Sequence, residues 1–191
     1  MRDTDRRIGR RQISRRQIGF ALVGALALLL TSGAATRAQS SAAAPASGAA
    51  LTVSGDVANP LALSLDALKN MPRKTVHVNN EHAQEEEVYE GVPLAAILKQ
   101  AGVPQGGQIR GKAMATYFLA QGGDGYQVLF SLPELDSDFE DSDVLVADTM
   151  GGKPINDKLG PLRLVVPHDK RSARWVRMLT GIKVVRLNKP E

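Results

Sequence analysis

The stretch "GPLRLVVPHDKRSARWVRML", Gly160–Leu179, carries an apolar run that ends at Pro167 and gives way to a burst of cations around Trp175. "LRLVV", bounded by Pro161 and Pro167, is too short for a stable helix and has the near-continuous apolar character of a strand buried in a sheet. "VLVAD", Val144–Asp148, repeats that form. "GIKVVRL", Gly181–Leu187, alternates imperfectly and is expected to close the sheet. Upstream, "MATYFLA" and "YQVLFSL" flank "QGGDG", whose glycines permit the positive φ of a tight connection, with Asp124 as a turn residue.

The first half of the domain mixes both periods. Leu51, Val53 and Val57 share one face of an extended segment that Pro60 ends, and "KTVHV", Lys74–Val78, alternates as a half-buried strand does. Ser64 is placed to cap a short helix carrying Leu65 and Leu68, stopped before Pro72. "GVPLAAILKQAG", Gly91–Gly102, predicts a second helix with Pro93 in its first turn, Leu94, Ile97 and Leu98 on one stripe, and Gly102 at its C-terminal cap. "PELDSDFEDSD" opens on a short helical turn. Strands outnumber helices without a regular βαβ rhythm, so the class is α+β, a β-rich mixed domain.

Ahead of the domain, residues 1–18 carry seven arginines against two aspartates and precede the apolar run "GFALVGALALLL", Gly19–Leu30. That run is short for crossing ~30 Å of hydrocarbon at about 1.5 Å per residue. An export signal over residues 1–38 is expected, with "SRRQIGF", Ser14–Phe20, matching the twin-arginine pattern and cleavage following it. The mature chain would then be periplasmic or otherwise exported, with no permanent membrane span. "SSAAAPASGAA", Ser40–Ala50, reads as a flexible linker covering 39–50, and residues 51–191 as one folded domain.

The leader also distorts the charge. Without residues 1–38 the 24 basic and 20 acidic residues become 16 and 18, so the pI of about 9.5 gives no support to a nucleic-acid partner. The chain has no cysteine, which removes disulfides and every thiolate nucleophile or metal ligand.

Arg163–Lys189 holds eight basic residues and one acid, Asp169, whereas Glu134–Asp148 holds seven acids and no base. The acidic segment reads equally well as a solvated loop. Lys170, Arg171, Arg174 and Arg177 crowd around Trp175 just beyond a strand end, where sites are commonly built. If that segment turns helically, Arg171, Arg174 and Arg177 lie near one face, and guanidinium forks match phosphate or carboxylate oxygens. An anionic small molecule is the expected ligand of the cluster Lys170, Arg171, Arg174 and Arg177, to which His168 could add a further donor. His77 and His82 have no recognised metal-ligand spacing, and no metal site is assigned. No nucleophile elbow, phosphate-binding Gly-rich loop or dinucleotide fingerprint is present, so the residues assign no catalytic group.

In order along the chain, "YEGVPLAAIL", "GDGYQVLFSLPEL", "DVLVAD", "GGKPI", "GPLRLVVP" and "ARWVRMLTGIKV" resemble the molybdopterin-binding domain of the sulfite oxidase family, over about Leu51–Leu187. The resemblance implies a mixed α+β fold holding molybdenum on a pterin dithiolene, with basic side chains near "ARW" gripping the pterin phosphate. On this chain those are Arg171 and Arg174, with Lys170 and His168, while Arg163 is read as structural. Family enzymes ligate molybdenum through a cysteine upstream of the "GVPL" helix, where this chain has Asn79, Asn80, Glu81 and His82. The resemblance therefore implies a molybdopterin or anion-binding module, or an accessory to a redox partner protein. The alternatives are an oxygen-atom-transfer oxidoreductase with a non-cysteine ligand and a small-anion-binding periplasmic protein.

Overall fold

The computed structural model of the protein describes residues 48–80, 85–141 and 143–187. The expected leader, all but the last three residues of the expected linker, and His82 lie outside them.

The described chain forms β1 (Leu51–Gly55), β2 (Leu61–Leu63), α1 (Leu65–Lys69), β3 (Lys74–Asn80), β4 (Glu85–Pro93), α2 (Leu94–Gln100), β5 (Thr116–Gly122), β6 (Gln127–Ser131), β7 (Leu145–Met150), β8 (Lys153–Pro154), β9 (Arg163–Val165) and β10 (Leu179–Arg186). The strands make two sheets. One runs β2, β1, β10, β5, β6; the other runs β3, β4, β7, β8, with β9 also paired to β7.

The last strand corrects an expectation. β10 does not close a single sheet; it runs through the interior of the first, parallel to β1 (Val53 opposite Ile182) and antiparallel to β5 (Ala120 opposite Ile182). Its buried Leu179, Ile182 and Val184 reward that position more than an edge would. The expected hairpin is β5–β6, where Phe118 and Phe130 face each other and stack at 5.1 Å.

Both helices are short and set by local signals. The Ser64 hydroxyl accepts from the Ala67 amide at 3.1 Å to start α1. The second helix begins three residues later than the pattern suggested. Gly91, Val92 and Pro93 instead complete β4, pairing with Ala147, Val146 and Leu145 of β7, because ladder bonds in a buried sheet outweigh a helical first turn. Leu94, Ile97 and Leu98 then bury as one stripe, and Gly102 follows the helix at φ +78°. Among the described residues no helix is long and apolar enough to cross a membrane.

Candidate functional site

β9 is the strand inferred from "LRLVV", and it brings one cation into the interior. Arg163 is half-buried, with its guanidinium carbon 4.9 Å from the Trp175 ring centre and 5.5 Å from that of Tyr89. The two rings meet edge to face at 5.6 Å. A cation between aromatic faces is attracted by both quadrupoles and loses little to desolvation, being a weakly hydrated guanidinium. Its Nη1 donates to the Tyr89 hydroxyl at 2.6 Å, which donates in turn to Glu87 at 2.7 Å. Burial and then the Glu87 bond hold the Tyr89 phenol well above its ordinary pKa, against the opposing charge of Arg163. Arg163 Nε is buried without a hydrogen-bond partner among the described residues. An orphaned charged donor of this kind calls for a reason.

The chain after β9 supplies the other wall. It passes through a single 3-10 turn, Ser172–Arg174, and returns antiparallel to β9, with Leu164 and Val176 exchanging backbone bonds of 2.8 and 3.2 Å. The Trp175 indole donates to the Val166 carbonyl at 3.0 Å, which fixes the buried ring. Between Arg163, Trp175, Ser172, Ala173, Arg177 and the hairpin residues Asp124 and Tyr126 lies a cleft of about 310 Å³.

The expected anion ligands are not gathered there. The segment does not continue as a helix, so its arginines diverge. Arg174 points to a different, smaller cleft and is held by carboxylates: Nε and Nη2 fork onto Asp169 at 2.8 and 2.5 Å, and Nη1 donates to Glu134 at 2.7 Å. The guanidinium lies over Phe130 at 5.0 Å. The Asp169 bond, followed by Glu134, outweighs desolvation and raises its pKa further. Burial alone would raise Glu134, yet the Ser131 amide and Arg174 bring its carboxyl below the usual range. His168 is exposed on the rim of that second cleft. Lys170 and Arg171 are exposed and make no side-chain hydrogen bond or ion pair among the described residues. His77 is exposed and 3.2 Å from Glu86.

Arg174 thus ties the loop to the β6 end. Arg174→Ala is expected to lower stability by about 1 to 2 kcal/mol, the lower part of the range for charge-assisted bonds because the side chain is 40% exposed and solvent screens it. The urea midpoint measures it, and Arg174→Lys should recover less than half because an ammonium cannot fork onto Asp169. An unchanged midpoint for the alanine variant would show the pairs to be surface decoration.

The profile of the oxidoreductase molybdopterin-binding domain matches residues 41–191. The chain belongs to that family. Among solved structures, the sulfane dehydrogenase SoxCD from Paracoccus pantotrophus is similar, at 21% identity and a TM-score of 0.56. The match covers 73% of this chain and 39% of that one, so the described domain spans well under half of the SoxCD chain it resembles. No curated protein matches the sequence. The β-rich molybdopterin-binding fold expected from the resemblance is the fold observed.

Two properties of the donor set bear on the family's cofactor. Its phosphate end needs cations and hydrogen-bond donors, and the cleft at β9 offers Arg163, Arg177 and the Ser172 hydroxyl. Its metal end, on the resemblance, is ligated by a cysteine. The chain has no cysteine, and the described residues contain no cluster of three His, Cys, Asp or Glu side chains able to hold a metal. Sequence reading passed over Arg163 as structural and did not place Tyr89 beside Trp175. The available signal was the one cation inside an apolar strand, since a buried charge requires partners.

Proposed function

We propose that this family member binds an anionic group of the pterin-phosphate kind in the β9 cleft and serves as a cofactor- or anion-binding accessory redox module. The observation that carries the reading is Arg163. A guanidinium caged by Tyr89 and Trp175, lining the same 310 Å³ cleft as a second arginine, is suited to an oxyanion. Arg163 and Arg177 would hold the phosphate, Ser172 would add a hydroxyl donor, and Trp175 would keep the wall in place. Exposed Lys170 and Arg171 add positive field beside the Ser172 wall and favour anion approach, while Arg174 and His168 sit at the neighbouring small cleft.

The missing thiolate supports the accessory reading over catalysis. Family chemistry as the resemblance gives it runs through a cysteine-ligated molybdenum, and an amide or imidazole is not an equivalent donor. The proposal includes export: an arginine-rich leader ahead of an apolar run would deliver the domain to the periplasm, beside a redox partner protein. A second reading, oxygen-atom transfer on molybdenum with a non-cysteine ligand, is favoured by the family match over residues 41–191.

Molybdenum and released pterin per chain, measured on protein purified from a molybdenum-replete host, separate the two. Stoichiometric metal would sink the accessory reading; pterin without metal is the outcome expected. For the cleft, Arg163→Gln is expected to weaken inorganic phosphate binding by roughly ten- to a hundredfold, the range for losing a charge-assisted bond. Calorimetric titration reads this, with near-UV circular dichroism checking that Tyr89 and Trp175 stay ordered. Arg177→Gln, at a more exposed position, gives a second test with less risk to folding. Wild-type affinity in both variants would remove the cleft from consideration.

A further inference from the structure

The β5–β6 hairpin turn is bonded across the mouth of this cleft, and it brings a negative charge with it. Asp124 Oδ2 accepts from Arg177 Nε at 2.9 Å, while Oδ1 accepts from the Tyr126 amide at 3.1 Å. The Tyr126 hydroxyl donates to the Ala173 carbonyl at 2.6 Å, and the Gly123 amide to the Met178 carbonyl at 2.7 Å. A hairpin tip is thus fastened at three points to the wall that carries Ser172, Trp175 and Arg177. Gly122 permits the close approach, since a Cβ there would lie 2.7 Å from the Arg177 carbonyl.

We infer that Asp124 sets the affinity of the cleft: its carboxylate occupies Arg177 as an internal anion, so an incoming ligand must displace it to gain the second guanidinium. The inference rests on the anion-binding reading above. With Arg163, Arg177 and Asp124 on one cleft, the formal charge is one positive rather than two. A monovalent anion gains little from competing with a carboxylate already bonded to Arg177. A doubly charged oxyanion bridges both guanidinium groups and gains from each. The Tyr126 amide holds Asp124 first, and Arg177 adds to it, so the carboxyl sits below the usual range and stays charged through neutral pH. The two guanidinium groups accordingly favour phosphate dianions, free or esterified, over chloride, nitrate or simple carboxylates, and Asp124 lowers the affinity for all of them.

The test uses the purified chain and Asp124→Asn, which keeps the turn's acceptor for the Tyr126 amide and removes the charge. Inorganic phosphate, phenyl phosphate and nitrate are titrated separately at pH 8. Asp124→Asn is expected to tighten inorganic phosphate by about fivefold, the upper worth of one exposed ion pair, and nitrate by less, and so to widen the preference for phosphate over nitrate. Tyr126→Phe, which removes one fastening without changing charge, should leave that preference as in the wild type. Phenyl phosphate binding more tightly than inorganic phosphate would identify an ester as the ligand, and the reverse order the free ion. A phosphate affinity unchanged in Asp124→Asn, with Arg163→Gln still losing phosphate, overturns the role of Asp124 and leaves the cleft standing. No phosphate binding by the wild type overturns both.

Discussion

Gly91→Ala is expected to destabilise the fold by about 3 kcal/mol or more, at the top of the range for overpacking a closely packed site. A Cβ at residue 91 would lie 2.1 Å from the Val146 carbonyl oxygen and 2.6 Å from the Ala147 Cα. All of the nearest atoms are backbone, so no side chain can swing aside. The strand itself must move, and it is central to its sheet: β4 pairs with β3 on one side and β7 on the other. The β4–β7 register shifts between Glu90 and Gly91, a bulge that brings the two backbones this close. Tyr89 lies two residues away, so a displaced β4 also loosens the aromatic cage around Arg163. The urea midpoint should fall steeply and phosphate affinity should fall with it. Gly107→Ala is the control, because a Cβ there meets nothing within 4 Å and should change stability by no more than about 0.5 kcal/mol. Equal midpoints for the two variants would mean the bulge relaxes freely.

The elements that were legible in the sequence are those whose signal is local. Ser64 before Leu65 marks a cap that forms, the "QGGDG" turn joins two strands that pair, and Leu94, Ile97 and Leu98 bury together. What failed to show depends on long-range pairing. β10 looks like any terminal strand, and only its parallel alignment with β1, some 130 residues earlier, places it in a sheet interior. Likewise "GVP" has helix-start chemistry, but Val92 and Pro93 meet β7 before the helix can claim them. At the site, residue type was legible and direction was not. Arg171, Arg174 and Arg177 have helical spacing, yet the chain makes one 3-10 turn and returns along β9, so they part company. Spacing also carried no trace of the Asp169 and Glu134 carboxylates that claim Arg174, because Glu134 lies 40 residues away. Arg163 was the converse case. It was read as structural, and only Tyr89, 74 residues earlier, makes the cage around it visible.

The second large effect is expected at Arg73, far in sequence from the carboxylate it serves. Asp148 is 8% exposed in β7 and receives a fork from Arg73, at 2.9 Å from Nη1 and 2.6 Å from Nη2, together with the Thr149 hydroxyl at 2.8 Å. Arg73→Met removes the fork and leaves a buried carboxylate with one neutral donor. Breaking a buried pair from one side costs about 3 to 5 kcal/mol, and since Arg73 is itself 29% exposed, water can partly replace it, so roughly 2 to 3 kcal/mol is expected at pH 7. Burial alone would raise the Asp148 pKa, but the Arg73 and Thr149 bonds and the charge of Arg73 overcome it and hold the carboxyl below its ordinary value. A depressed carboxylate binds fewer protons folded than unfolded, so its contribution is present above the unfolded pKa of about 3.9 and is lost as pH falls through the lower folded value. In Arg73→Met the burial is unopposed by the fork, so the folded pKa moves up and protonation relieves the variant at pH values where the wild type is still fully charged. The stability gap between the two should therefore be widest near neutrality and narrow steadily toward pH 4. Urea unfolding of both proteins across that interval measures it. A gap that stays constant with pH would mean that Arg73 acts through packing of its stem and not through the charge on Asp148. The double variant Arg73→Met with Asp148→Asn, lacking both charges, should recover most of the loss.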